Sequence, residues 1–266
     1  MTAVTASDRW IAHPDGRLFA REWTPARADP AAAPVVMQHD SLGCVALWRG
    51  FPEALCAATS RRVVAYDRLG FGRSAARVGR PSRGFVAEEA ARYLDAVLDQ
   101  CDVDRFVALG HSVGGGMSVH TAARFGARVD ALVTIAAQAF TEQRTLDGIR
   151  VARAQFADPA QVQRLARYHG DKAPWVLDAW IGCWLDPSFA GWTLADVLPE
   201  VRCPTLALHG DQDEYGSTRH PGMMVALCGG PTTVAVLPGI GHVPQRENPA
   251  LTVDRVARFL AGVQRG

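Results

Sequence analysis

The chain has 266 residues, 48% hydrophobic and 21% charged, a globular composition that suits one large α/β domain or a core with an insertion. Its 28 basic and 27 acidic residues are mixed along the chain and leave a net charge of +1, without the basic footprint that a nucleic-acid partner requires. No apolar run reaches membrane-spanning length, and Met1 to Trp10 lacks a signal-peptide profile.

Residues 8–13 and 16–23 read as two strands joined through Pro14-Asp15-Gly16, a hairpin signal. A Pro/Ala-rich surface connection over 25–34 follows, then a buried strand from Pro34 to His39 that runs into Asp40-Ser41-Leu42-Gly43. Apolar spacing predicts a helix over 45–59 with Trp48, Phe51 and Leu55 on one face. Arg62 to Tyr66 is a further strand, ending in Asp67-Arg68-Leu69-Gly70-Phe71-Gly72-Arg73-Ser74. Val86, Ala90, Tyr93, Leu94 and Val97 recur at helical spacing and predict a helix over 85–100. A strand from Phe106 to Leu109 leads into Gly110-His111-Ser112-Val113-Gly114, then a helix over 112–125 and a strand from Ala131 to Ile135. Strands alternating with helices imply a mostly parallel sheet covered on both faces.

From Gln138 the strand-like runs disappear. Trp175, Trp180, Trp184 and Trp192 fall here, four of the seven tryptophans, and large aromatics supply apolar pocket walls. We read 138–198 as a helical insertion folded over the active edge of a core made of 1–137 and 199–266, with Trp180 and Trp184 as candidate substrate contacts. The sheet resumes at Thr205 to Leu208 and at Thr233 to Leu237. A terminal helix over 249–263 turns Val253, Val256, Phe259 and Leu260 inward. The six cysteines (44, 56, 101, 183, 203 and 228) are scattered without a C-x-x-C pair, which argues against a zinc site or disulfide framework and for a reducing cytoplasm. Cys44 reads as a small buried filler.

The pentapeptide Gly110 to Gly114 is a G-x-S-x-G turn between strand and helix. So tight a turn requires residues without Cβ beside the serine. It holds Ser112 strained, with its hydroxyl at a helix N-terminus. A serine hydroxyl is a poor nucleophile at neutral pH and needs a histidine base, which in turn needs a carboxylate to fix its tautomer. The partners should follow later strands, because C-terminal strand ends converge on one edge. His242 is the only histidine beyond every strand and is the candidate base; Asp211, Asp213 and Glu214 compete as the acid. The other histidines (His13, His39, His111, His120, His169, His209 and His220) read as packed or solvated rings, with His111 turned away from Ser112.

Together, the serine pentapeptide, the Asp67–Ser74 turn, Gly210-Asp211-Gln212-Asp213 and Gly241-His242 make the chain resemble the α/β-hydrolase superfamily, over nearly everything outside 138–198. The resemblance implies an eight-stranded, mostly parallel sheet flanked by helices, with a helical cap at the insertion. It puts the acid at Asp213 and leaves Asp211 as a loop acceptor. The oxyanion hole should combine the backbone N–H of Val113 with one that the resemblance assigns to Ser41. Relatives carry His-Gly in that loop, where this chain has His39-Asp40. A carboxylate aimed into the hole would oppose the oxyanion, so Asp40, a candidate substrate contact, is expected to turn away from it and bond backbone N–H groups.

The expected chemistry is acyl transfer on an ester, lactone or thioester of a small apolar molecule, without metal or organic cofactor. The expected protein is a cytoplasmic monomer or homodimer without nucleic-acid or membrane partners. Two alternatives stand: a C–C hydrolase of vinylogous ketoacids, which would need Arg144, Arg150 or Arg153 to hold a carboxylate, and a receptor of the same fold that binds without turnover.

Overall fold

The computed structural model describes residues 3–29 and 31–263. Met1 and Thr2, Pro30 of the expected connection and the last three residues of the 199–266 span lie outside the described residues. The strands are β1 (Val4–Ile11), β2 (Leu18–Pro25), β3 (Val35–Gln38), β4 (Val63–Tyr66), β5 (Phe106–His111), β6 (Val129–Ile135), β7 (Thr205–Gly210) and β8 (Thr232–Leu237). They form one eight-stranded sheet in the order β1-β2-β4-β3-β5-β6-β7-β8. The β1–β2 hairpin is antiparallel, β2 runs antiparallel to β4, and the other neighbours pair in parallel.

The helices are α1 (Phe51–Thr59), α2 (Phe85–Glu88), α3 (Leu94–Gln100), α4 (Val113–Phe125), α5 (Gln143–Gln155), α6 (Pro159–His169), α7 (Ala173–Leu177), α8 (Arg219–Leu227), α9 (Pro244–Glu247) and α10 (Pro249–Gly262). Alternation along the strands sorts side chains into two cores. Val35, Met37, Val63, Ala65, Val107 and Leu109 pack with Phe51 and Leu55 of α1 and Val256 and Leu260 of α10. Val36, Val64, Phe106 and Ala108 belong to the opposite core, with Leu94, Val97 and Leu98 of α3 and Val119 and Ala122 of α4. Burial on both faces is why these strands read as unbroken apolar runs. The parallel strands also end at one edge, where β3, β5, β7 and β8 turn into the loops carrying Asp40, Ser112, Asp213 and His242.

The helix expected over 45–59 is two pieces. A 3-10 turn, Val45–Trp48, ends at Arg49 with φ +53°, and α1 starts at Phe51. Pro52 explains the restart, since proline fits a first helical turn but cannot donate within a continuing one. Trp48 and Phe51 still stack, 6.0 Å apart, so the apolar face survives the break. The run over 85–100 is helical but passes through a π turn at Glu89–Tyr93, where the buried Glu89 carboxylate accepts the Tyr66 hydroxyl at 2.8 Å.

Between β6 and β7 the chain is helical, with α5 to α7 and short turns; its strand-like feature is an isolated bridge between Phe140 and Thr193. All six cysteines are free, and burial pushes the Cys44 thiol up to about 12. Among the described residues no helix is long and apolar enough to cross a membrane.

Candidate active site

Ser112 sits where β5 becomes α4, with φ +56° and ψ −124°. Its neighbours leave no room for side chains. A Cβ on Gly110 would lie 2.0 Å from the Gly114 carbonyl oxygen, and one on Gly114 would lie 2.2 Å from that of Gln38. The corner is stitched to the next strand by a Ser112 N–H donated to the Ile135 carbonyl at 2.9 Å. The hydroxyl stands at the start of α4, where the helix field favours negative charge.

His242 arrives from the loop after β8. Its Nδ1 is 2.9 Å from both Asp213 oxygens and its Nε2 is 3.0 Å from Ser112 Oγ. Burial alone would lower the imidazole, but the hydrogen bond and charge of Asp213, aided by Glu214 and Asp40, raise it above the ordinary value of 6.5. Asp213 is fully buried, which by itself favours the neutral acid. The His242 bond and charge, with His209 and the Tyr215 N–H, instead hold it below the usual carboxylate range. Its Oδ1 accepts the backbone N–H groups of Tyr215 at 2.7 Å and Gly216 at 3.0 Å.

Neither competing acid hydrogen-bonds the His242 ring. Asp211 is exposed and accepts the Gly239 N–H at 2.8 Å. Glu214 is also exposed, borders the cavity and reaches the backbone N–H of His242 at 3.3 Å. The other rings near the site have structural partners. His111 donates from Nε2 to the His242 carbonyl at 2.8 Å, and burial pushes it down to about 4. His209 donates to the Gly216 carbonyl at 3.0 Å, and His39 braces the β3 loop by donating to the Asp40 carbonyl at 2.8 Å.

The Asp40 carboxylate departs from expectation. No backbone N–H among the described residues donates to it. It stands above Gly43, where an added Cβ would fall 1.9 Å from Oδ1, and its Oδ2 is 3.7 Å from His111 Nδ1. The missing side chain at Gly43 gives the carboxylate this space. Arg68 holds the loop by donating to the Asp40 carbonyl at 2.9 Å. The Asp67–Ser74 turn braces the same region, because buried Asp67 accepts the backbone N–H groups of Val45 and Arg73, each at 2.6 Å.

Asp40, Ser41, Leu42, Trp180 and Trp184 border a cavity of about 230 Å³ that also touches Ser112 and His242. Trp175 instead donates to the Gly79 carbonyl at 2.8 Å, and Trp192 stacks on Phe189 at 5.5 Å. None of the three candidate arginines borders the cavity. Arg144 donates to the Asp213 carbonyl at 3.0 Å, Arg150 pairs with Asp147 at 2.7 Å, and Arg153 is exposed. A residue that sequence reasoning did not single out is Gln138, whose Oε1 accepts from Ser112 Oγ at 3.1 Å. Its one available signal was a polar residue just past the C-terminal end of a strand.

Sheet order, serine corner and converging loops define the class of fold, and the chain belongs to the α/β hydrolase fold family, whose model matches residues 33–179, more than half of the sequence. Over 249 residues it is 30% identical to the dihydrolipoyllysine-residue acetyltransferase component of the acetoin cleaving system of Pseudomonas putida, a match that covers 85% of this chain and 63% of that protein. Over 117 residues it is 32% identical to the 1-acylglycerol-3-phosphate O-acyltransferase ABHD5 of Homo sapiens, covering 42% and 32% of the two chains. The chain thus spans less than two thirds of the length of these curated relatives. Among solved structures it superposes on a proline iminopeptidase of Mycobacterium smegmatis with TM-score 0.74 and 20% identity, covering 96% and 98% of the chains. A thermophilic esterase of Thermogutta terrifontis gives TM-score 0.72 and 21% identity, covering 97% and 100%. At such identities these structures show the fold alone.

Proposed function

We propose that the protein is a carboxylesterase-like serine hydrolase that cleaves an ester, lactone or thioester of a small, largely apolar molecule through an acyl-enzyme on Ser112. The supporting observation is the unbroken hydrogen-bond chain Asp213–His242–Ser112, with links of 2.9 and 3.0 Å, at the wall of a cavity. His242 donates from Nδ1 to Asp213, so its bare Nε2 takes the Ser112 proton as Oγ attacks the substrate carbonyl. Asp213 then stabilises the charged ring. The Val113 and Ser41 N–H groups hold the developing oxyanion at the N-terminus of α4. His242 protonates the leaving group, and water releases the acid.

The insertion over 138–198 acts as a cap whose Trp180 and Trp184 form the apolar wall. A space of about 230 Å³ lies below the roughly 300–1,000 Å³ of pockets for drug-sized ligands, which suits a short acyl chain. Asp40 and Glu214 border it, and no lysine or arginine does among the described residues, which favours neutral or cationic substrates. That lining disfavours a vinylogous ketoacid, whose carboxylate would find no cation.

The test is a series of p-nitrophenyl esters from acetyl to octanoyl, with one lactone and one dienoate. Turnover should peak among the short acyl groups. Turnover of the dienoate with none of any ester would contradict the proposal.

A further inference from the structure

Building on the acyl-enzyme reading, we infer that Gln138 is a catalytic residue of the second half-reaction. Its side-chain carbonyl, together with His242, holds the water that frees the acyl group from Ser112.

Ser112 Oγ stands almost equidistant from two acceptors, 3.0 Å from His242 Nε2 and 3.1 Å from Gln138 Oε1. A hydroxyl has one proton and satisfies one of them at a time. Attack on substrate requires the proton on His242, so the Gln138 contact does not help acylation. After acylation the situation reverses. Oγ is now an ester oxygen without a proton, and neither acceptor can take a hydrogen bond from it. Gln138 is only 4% exposed, and a buried acceptor without a donor is costly. One water satisfies both, donating one O–H to His242 Nε2 and the other to Gln138 Oε1. Its lone pair is then left to face the acyl carbon on Oγ.

The step balances with groups already present. The water oxygen bonds to the acyl carbon while its proton passes to His242 Nε2. Collapse of the tetrahedral intermediate breaks the carbon–Oγ bond, and His242 returns that proton to Oγ. The free acid and the resting serine remain.

The backbone gives an independent indication. Among the described residues five non-glycines have positive φ: Arg49, Ser60, Asp102, Ser112 and Ala136. Arg49, Ser60 and Asp102 lie at or just beyond helical ends and are at least partly exposed. Ser112 and Ala136 are both buried and follow the C-terminal ends of the neighbouring strands β5 and β6. Ala136, at φ +48°, has no side chain for chemistry. Left-handed backbone at a non-glycine residue costs free energy and persists where its surroundings fix it. This corner carries the chain to Gln138 two residues later, as the Ser112 corner presents the hydroxyl.

Stopped-flow kinetics with p-nitrophenyl acetate separate the two half-reactions, because the leaving group departs fast. Gln138→Met keeps the bulk and removes the acceptor. It should leave the burst rate and kcat/KM within about twofold of native. In the same variant kcat and KM should fall together, by about tenfold to a hundredfold, with acyl-enzyme accumulating. Gln138→Glu keeps an acceptor in its carboxylate and should recover most of kcat. If kcat and kcat/KM fall in parallel in both variants without accumulation, Gln138 has no role in deacylation; fluorophosphonate labelling of native Ser112 would then leave the hydrolase reading standing. A native protein with neither burst nor labelling would remove the acyl-enzyme, and this inference with it.

Discussion

Two regions meet at the cavity, and they are built differently. The sheet-edge loops are pinned from several sides: Asp213 by two backbone N–H groups, the serine corner by contacts that exclude a Cβ, and the β3 loop by Arg68 and His39. The helical stretch from α5 onward offers Thr145 and Ile149 from α5, Trp180 from a π turn at Asp178–Gly182 and Trp184 just beyond it. The pinned side holds Ser112, His242 and Asp213 at hydrogen-bond distance, the precision that the proposed chemistry would require. The helical side supplies shape, and shape tolerates variation. Substitutions in the first should change kcat with the fold intact. Substitutions in the second should change KM or stability with the chemistry intact.

The largest expected effect lies on the pinned side. Asp213→Asn should lower kcat by about 10⁴-fold, because the amide stabilises the wrong imidazole tautomer. Asp211→Asn, two residues away, should leave kcat within about twofold, since surface substitutions are usually near neutral. Steady-state assays of the pair decide between them, and equal losses would erase the distinction between buried and exposed acid.

The pH profile comes next. An imidazole acts as a base only when neutral, and the surroundings of His242 raise it above 6.5. The kcat/KM profile should therefore rise with pH through a midpoint above 6.5, falling about tenfold per unit below it. The residual activity of Asp213→Asn should show a lower midpoint. An unchanged midpoint would mean that Asp213 does not hold the proton on His242.

On the helical side, Trp180→Ala should raise KM for the preferred ester by roughly tenfold with kcat nearly unchanged, the loss of one apolar contact. Trp184 is 2% exposed and packed edge-on against Phe189 and Trp192. Its replacement by alanine should cost about 3–5 kcal/mol of stability, measured by urea unfolding. If Trp180→Ala instead abolished kcat, the helical stretch would belong to the chemistry.

The smallest effect is electrostatic. Asp40→Asn removes one negative charge from the cavity rim, which near a surface is worth about 1–2 kcal/mol at 8–10 Å. It should improve a succinyl half-ester over its methyl ester by about fivefold to tenfold. An unchanged ratio would show that this carboxylate does not act on the substrate.

How much was readable in advance follows the same division. Gly110 and Gly114 advertise a corner that no side chain can enter, and a histidine beyond the final strand is conspicuous. Spacing alone left Asp211, Asp213 and Glu214 equivalent. Burial and the Tyr215 and Gly216 N–H groups separate them, and these are properties of the folded loop. The orientation of Asp40 depended on empty space above Gly43, which a pattern of residue types does not display. Gln138 went unnoticed because a glutamine after a strand carries no motif, and alanine at 136 gives no sign of its left-handed backbone. The break at Arg49 was hidden because Trp48 and Phe51 share one face across it.

The central claim is that Ser112 is made reactive by His242. Peptide mass spectrometry after treatment with a fluorophosphonate tests it most directly. One phosphonyl adduct should appear on the peptide containing Ser112 and disappear in His242→Ala. An adduct elsewhere, or equal labelling of Ser112 without His242, would contradict the account.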